Sequence, residues 1–132
     1  MKKFLLVDDE DIFNYLNSEV IQLVNKDYQP QAFCSGREAL DYLQKILQER
    51  DESLPDVILL DIRMPGMNGF EFLDELMKCD TCKLENTAVY VLSSSLDHRD
   101  MERAHSYPLV RGFRSKPLSE EMVMEMVEKL PN

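Results

Sequence analysis

Three acids, a hydroxyl and a lysine stand at the ends of apolar runs in this chain, a set suited to a divalent cation and a phosphoryl group. Asp8-Asp9 follows Phe4-Leu5-Leu6-Val7, and Asp61 follows Val57-Ile58-Leu59-Leu60. Ser93 follows Val89-Tyr90-Val91-Leu92, and Lys116-Pro117 follows Gly112-Phe113-Arg114-Ser115. If these runs are adjacent parallel strands, their carboxyl ends deliver the polar groups to one crevice, where open α/β sheets bind their ligands. Three converging carboxylates repel one another without a cation. An oxygen-rich, charge-dense site suits magnesium, which keeps some waters and completes its shell with phosphate oxygens.

Within this set Asp61 is the best nucleophile candidate, because a carboxylate can attack a phosphoryl group and form an acyl phosphate. Lys116 offers a positive point charge to a phosphate oxygen. The ordinary fate of a lysine is a solvated surface, but a Lys-Pro bond can be cis, and that would fix the direction of Lys116 at the strand end. Ser93 offers a hydroxyl, although the run Ser93-Ser94-Ser95 also reads as a plain loop or helix cap. An acidic pair such as Asp8-Asp9 before a helix also favours the helix dipole. That alternative leaves the matching position of Asp61 unexplained.

The elements that must position these residues alternate short apolar runs with longer amphipathic segments. Phe4–Val7, Gln31–Cys34, Val57–Leu60, Val89–Leu92 and Val110–Arg114 read as strands. Ile12, Leu16, Val20 and Leu23 recur at helical spacing after the first strand. Ser35 with Glu38 reads as a capping box opening a second helix, whose buried stripe would be Ala39, Leu40, Leu43, Ile46 and Leu47. Residues 48–55 read as a loop. Pro65-Gly66-Met67-Asn68-Gly69 is a turn cluster, followed by a helix with Phe70, Leu73, Leu76 and Met77 inward. A polar connection spans Cys79–Thr87. Asp97 is the expected N-cap of a short helix through about His105, whose apolar stripe is the weakest in the chain. Ser119 caps the last helix, with Val123, Met126, Val127 and Leu130 at core spacing. The order βαβαβαβαβα with right-handed crossovers predicts an α/β fold, a five-stranded parallel sheet with helices on both faces.

The 132 residues fit one domain, and 44% hydrophobic residues are enough for its core. A formal charge of −10, from 25 acids against 15 bases, repels nucleic-acid phosphates and argues against direct DNA binding. No apolar signal region or membrane-length span is evident, so a cytoplasmic protein is expected. The chain has three cysteines. Cys79 and Cys82 form a C-x-x-C without a second pair to complete a zinc site, and are read as reduced thiols. Cys34 ends an apolar run and is expected in the core.

The chain resembles receiver domains of two-component response regulators, the aspartate-phosphorylated signalling module. The resemblance covers essentially the whole chain. It rests on Val7-Asp8-Asp9-Glu10, on Leu60-Asp61-Ile62-Arg63-Met64-Pro65-Gly66-Met67-Asn68-Gly69, on Leu92-Ser93-Ser94, and on Lys116-Pro117. It implies a flavodoxin-like doubly wound sheet of order 2-1-3-4-5 with five helices. It implies that Asp61 is the phosphoacceptor. Asp9 and Asp61 would bind Mg2+ by side chain, Arg63 by its backbone carbonyl and Asp8 through water. Lys116 would bridge to the phosphoryl group. Ser93 would be the switch hydroxyl, Ser94 the small residue that leaves the site open, and Phe113 the aromatic switch position. Phe113 also reads simply as a core aromatic. A phosphoryl group adds about −1.5 to −2 charge. Ser93 would move toward it and vacate space for Phe113, with the weakly packed fourth helix as the bistable element.

The resemblance has departures. Arg63 sits two residues past the phosphoacceptor, at a position expected to modulate the lifetime of the phosphorylated state. His105-Ser106-Tyr107-Pro108-Leu109 replaces a small, Gly/Ala-rich segment before the fifth strand. Residues 1–132 are expected to form a single receiver domain with no output domain, accepting phosphoryl groups from a sensor histidine kinase or histidine phosphotransfer protein. It would act through protein contacts, homodimerising on phosphorylation in some receivers, and would catalyse only its own phosphorylation and dephosphorylation. A module cut from a hybrid kinase is the second reading. A phosphatase of the haloacid dehalogenase type would need an Asp two residues after its nucleophile, where Glu10 follows Asp8. A flavin carrier would need a hydroxyl- and glycine-rich loop where this chain has acids.

Overall fold

The three inner strands are short apolar runs, and in the sheet they lie side by side. The computed structural model describes residues 2–49, 54–79, 81–94 and 97–131, without the side chains of residues 81 and 82. Its strands are β1 (Lys3–Val7), β2 (Gln29–Phe33), β3 (Val57–Leu60), β4 (Ala88–Ser93) and β5 (Val110–Ser115). They form one parallel sheet in the order β2-β1-β3-β4-β5. The helices between and after them are α1 (Asp11–Val24), α2 (Gly36–Gln48), α3 (Gly69–Met77), α4 (His98–His105) and α5 (Glu120–Glu128). The predicted α/β class and strand order are those observed.

Side chains alternate along a strand, so β1, β3 and β4 each serve two cores. Leu5, Val7, Ile58, Leu60, Val89 and Val91 face one core with Leu40, Leu43, Phe72, Leu73 and Leu76 of α2 and α3. Phe4, Leu6, Val57, Leu59, Tyr90 and Leu92 face the other with Ile21 of α1 and Val123 and Met126 of α5. All residues of β3 and β4 are buried, which explains their unbroken apolar sequence. The edge strand β2 is mostly exposed and carries Pro30, tolerable where no outer neighbour needs the missing N–H. It begins earlier than the sequence suggested, because Gln29 and Pro30 pair with Lys3 and Phe4.

The caps are mostly those expected. The side chains of Ser35, Asp97 and Ser119 accept the backbone N–H of Glu38, Arg99 and Met122. The two-way capping box forms at Asn68 and Glu71, where α3 starts. Within the polar connection after α3, a 3₁₀ turn at Thr81–Leu84 buries Leu84 completely.

Helix α1 departs from the expected pattern. Its apolar residues Ile12, Leu16 and Leu23 are 59%, 46% and 68% exposed, and Tyr15 is exposed beside them. The buried side is Asn14, Asn17 and Ile21, with Val20 and Val24 partly covered. Asn14 takes the inner position because its Nδ2 donates to the carbonyl oxygens of Asp8 (2.9 Å) and Phe33 (3.4 Å), where β1 and β2 end. Cys34 is likewise exposed, not in the core; it lies past the last residue of β2, and its thiol donates to Asp11 Oδ1 at 2.8 Å.

Candidate functional site

Register decides which residues meet at the carboxyl edge of the sheet. Val7 pairs with Leu60, and Leu60 pairs with Val91. Asp8 and Asp61 are therefore the first residues off two neighbouring strands at the same level. The Asp61 N–H donates to the Val7 carbonyl at 2.9 Å, extending the ladder by one step. Both side chains are buried, at 4% and 6% exposure, and Asp9 is half-buried beside them. Carboxylate oxygens of Asp8, Asp9 and Asp61 lie within 4.8 Å of one another.

Lys116 reaches the same place from β5. Ser93 pairs with Ser115, and the Lys116 N–H donates to the Ser93 carbonyl at 2.8 Å. The Lys116–Pro117 bond is cis. The Lys116 Nζ lies 2.7 Å from Asp8 Oδ2 and 3.5 Å from Asp61 Oδ2, in a side chain only 6% exposed. On a third side the ammonium sits 4.2 Å from the centre of the Phe13 ring. Ser93, at the end of β4, is buried.

The electrostatics follow from this crowding. Burial pushes the Asp61 carboxyl above its usual range; Lys116 pulls it down, Asp8 pushes it up, and the Arg63 N–H, 3.4 Å from Asp61 Oδ1, pulls it down. Burial works to lower Lys116, but the hydrogen bond to Asp8 and the charges of Asp61 and Asp8 win and raise it. One ammonium against three carboxylates leaves surplus negative charge in the crevice. A hard cation with oxygen ligands fits that donor set, and neither thiol nor imidazole takes part in it.

Gly69 holds the turn after β3 close. Its N–H donates to the Ile62 carbonyl at 2.9 Å. A Cβ there would come within 2.7 Å of the Asp61 carbonyl oxygen and 2.8 Å of the Ile62 Cα. Only glycine lets α3 start this near the backbone of Asp61.

The structure thus gathers Asp8, Asp9, Asp61 and Lys116, with Ser93 ending the neighbouring strand. The Arg63 guanidinium leaves the crevice and meets Asp100 of α4, with 2.6 Å between Nη2 and Oδ2. Phe113 is buried in the core shared with Val91, Ala104 and Leu109. Helix α4 buries Ala104 fully and packs Met101 against the core. Polar contacts to α3 add to this grip: Tyr107 Oη donates to Asp74 Oδ1 at 2.6 Å, and Arg103 lies 3.9 Å from Asp74 and 4.3 Å over the Phe70 ring. The sequence reading missed Phe13, Asn14, Gly69 and Tyr107. Gly69 carried a signal as the glycine that closes the turn cluster, and Tyr107 as part of the segment that departs from the resemblance before β5. Of the C-x-x-C pair, Cys79 is a half-buried free thiol and the side chain of Cys82 lies outside the described residues.

A family model of the response regulator receiver domain matches residues 4–128. A probable methanogenesis regulatory protein, FilR2, of Methanothrix harundinacea is 31% identical, the match covering 96% of this chain and 79% of that protein. Sporulation initiation phosphotransferase F of Bacillus subtilis is 30% identical, over 97% of this chain and 92% of that protein. The crystal structure of a two-component response regulator from Cytophaga hutchinsonii superposes with a TM-score of 0.89 at 32% identity, over 98% of this chain and 96% of that one.

Proposed function

The chain belongs to the response regulator receiver family, and we propose that within it Asp61 is the phosphoacceptor of a signalling switch. The observation that carries this reading is the Lys116 ammonium held between Asp8 and Asp61 at the carboxyl edge of the sheet. The donor is a phosphohistidine of a sensor histidine kinase or histidine phosphotransfer protein. An Asp61 carboxylate oxygen attacks phosphorus and forms the acyl phosphate; the P–N bond breaks, and its electron pair returns to the imidazole, which takes up a proton. Lys116 turns its N–H groups from the carboxylates toward a phosphoryl oxygen. Asp9 and Asp61 would hold Mg2+ by side chain, Arg63 by its backbone carbonyl and Asp8 through water. When bound, the ion offsets the repulsion between carboxylate and phosphoryl oxygens.

The exposed face of α1 supports a protein donor. Ile12, Tyr15 and Leu16 lie on the first turns of the helix that begins two residues after Asp9. A helical surface packed on that apolar face would bring its phosphohistidine to the crevice mouth. After transfer, Ser93 and Phe113 would pass the added charge to α4 and β5, changing the contacts offered to a downstream protein or to a second copy. The receiver would also catalyse its own dephosphorylation. None of the described helices is long and apolar enough to cross a membrane.

Intact mass after incubation with magnesium and acetyl phosphate tests the reading. One added phosphoryl group, absent in Asp61→Asn and blocked by chelator, is expected. No adduct, together with no magnesium-dependent binding of beryllofluoride, would overturn it.

A further inference from the structure

We propose that Phe13 is a positioning residue for phosphoryl transfer: its ring holds the Lys116 ammonium at the crevice without consuming a hydrogen bond. The inference rests on the phosphoacceptor reading above and adds to it a residue that neither spacing nor the paired acids reveal.

The ammonium of Lys116 has three neighbours of different kinds. Asp8 Oδ2 at 2.7 Å accepts a hydrogen bond from it, Asp61 Oδ2 at 3.5 Å attracts it by charge, and the Phe13 ring lies 4.2 Å away. Phe13 is half-buried on the first turn of α1, turned inward, while Ile12 and Leu16 of the same helix stay outside. A ring face attracts a cation through its quadrupole, and the attraction grows as water is excluded. The Lys116 side chain is almost fully covered, so water contributes little to holding the charge.

The choice of an aromatic matters for the reaction. An ammonium has three N–H donors and no acceptor. An acidic or amide side chain at position 13 would bind one of those donors tightly and compete with an incoming phosphoryl oxygen. The ring stabilises the positive charge from the side and leaves the N–H groups to be handed from carboxylate to phosphoryl. An aliphatic residue of equal size would fill the space but supply no field. Positioning of this sort governs how often reacting groups meet in a productive geometry.

The test compares Phe13→Leu and Phe13→Tyr with the wild type. Initial rates of adduct formation are followed by intact mass over a range of acetyl phosphate concentrations with magnesium. Circular dichroism confirms that each variant is folded. Phe13→Leu is expected to lower the rate at saturating donor about fivefold, equivalent to roughly 1 kcal/mol of barrier, with the half-saturating donor concentration little changed. Phe13→Tyr, which keeps the ring, is expected to stay within about twofold of wild type. In a Lys116→Met background the Phe13→Leu change is expected to have no further effect, as for residues acting through one contact. Wild-type rates in Phe13→Leu, or an undiminished effect of Phe13→Leu in the Lys116→Met background, would overturn the inference while the phosphoacceptor reading stands. Absence of an adduct in the wild type itself would overturn both.

Discussion

Gly69→Ala should damage the protein in a way that no other described glycine substitution does. The new Cβ would meet two backbone atoms, the Asp61 carbonyl oxygen at 2.7 Å and the Ile62 Cα at 2.8 Å. Neither can yield cheaply. The Asp61 N–H is tied to Val7, and the Gly69 N–H to Ile62, both at 2.9 Å. Overpacking of this kind costs about 1–3 kcal/mol, and the better helix propensity of alanine returns at most about 1 kcal/mol of it. A net loss of about 1–2 kcal/mol lowers the melting temperature of a domain this size by roughly 3–10 °C. The functional loss should be larger, because a shift of about 1 Å in a reacting group can cost up to about 100-fold in rate. Two controls separate the causes. At Gly36 the close atoms are the flexible Met67 Cγ and Sδ at 3.2 Å and the Met67 carbonyl oxygen at 3.3 Å, none as near as those at Gly69, so Gly36→Ala should cost much less. Gly66 has φ +78° with nothing within 4 Å, so Gly66→Ala meets a backbone penalty of about 1–2 kcal/mol but no clash. The assay is thermal unfolding beside the rate of phosphorylation by acetyl phosphate. If Gly69→Ala melts with the wild type and phosphorylates as fast as Gly36→Ala, the close approach of α3 to Asp61 does not position the acceptor.

Asp61→Asn should raise the melting temperature at neutral pH in the presence of chelator. The folded carboxyl titrates above its unfolded value of about 3.9, because burial outweighs Lys116. Its favourable contribution is therefore present below the unfolded value and is lost as pH rises through the folded one. The advantage of Asn should shrink as pH falls through that window, and equal melting curves at pH 7 would contradict it. Magnesium should raise the melting temperature of the wild type with increasing concentration, as any ligand of the folded state does; the shift should vanish in Asp9→Asn, and its persistence there would remove Asp9 from the ligand set. Arg63→Gln should change the decay rate of the phosphorylated protein and speed amide hydrogen exchange in α4, since it breaks the ion pair with Asp100. Decay and exchange both at wild-type rates would refute a role for that pair. Tyr107→Phe removes the hydrogen bond to Asp74 and should cost about 1 kcal/mol after allowing for the exposure of its partner, read as a fall in the urea midpoint at constant slope.

The strands and the acids at their ends were legible because burial on both faces of a parallel sheet leaves little choice of residue. Val57-Ile58-Leu59-Leu60 can only be interior, and Asp61 after it needs a reason to be charged. The opposite holds for α1. Its apolar residues at positions 12, 16, 20 and 23 match the template for a buried face, yet three of the four are exposed. Periodicity reports that a helix has an apolar side, not which surface that side meets. Here the inner side carries Asn14, because strand ends expose carbonyls that its buried amide satisfies, with Asn17 buried beside it. Phe13 was invisible for a related reason: one aromatic between two stripes has no pattern, and its meaning depends on a lysine 103 positions later.

The fourth helix shows how charge and packing share one element. The sequence reading rested its mobility on a thin apolar stripe, and the structure buries only Ala104 of it completely. Met101 adds partial packing, and the other contacts that hold α4 are ionic and polar: Asp100 to Arg63 near its start, and Arg103 with the neighbouring Tyr107 to Asp74 at its end. Exposed pairs of this kind contribute about 0–1 kcal/mol each, the scale on which a population shifts several-fold without unfolding. Arg63 is two residues from Asp61, so a phosphoryl group on Asp61 would bring about two negative charges into competition with Asp100 for the same guanidinium. An apolar anchor would be indifferent to that charge. A helix held in part by ion pairs would instead feel it, and the Arg63–Asp100 pair, which begins two residues from Asp61, would be the first to respond.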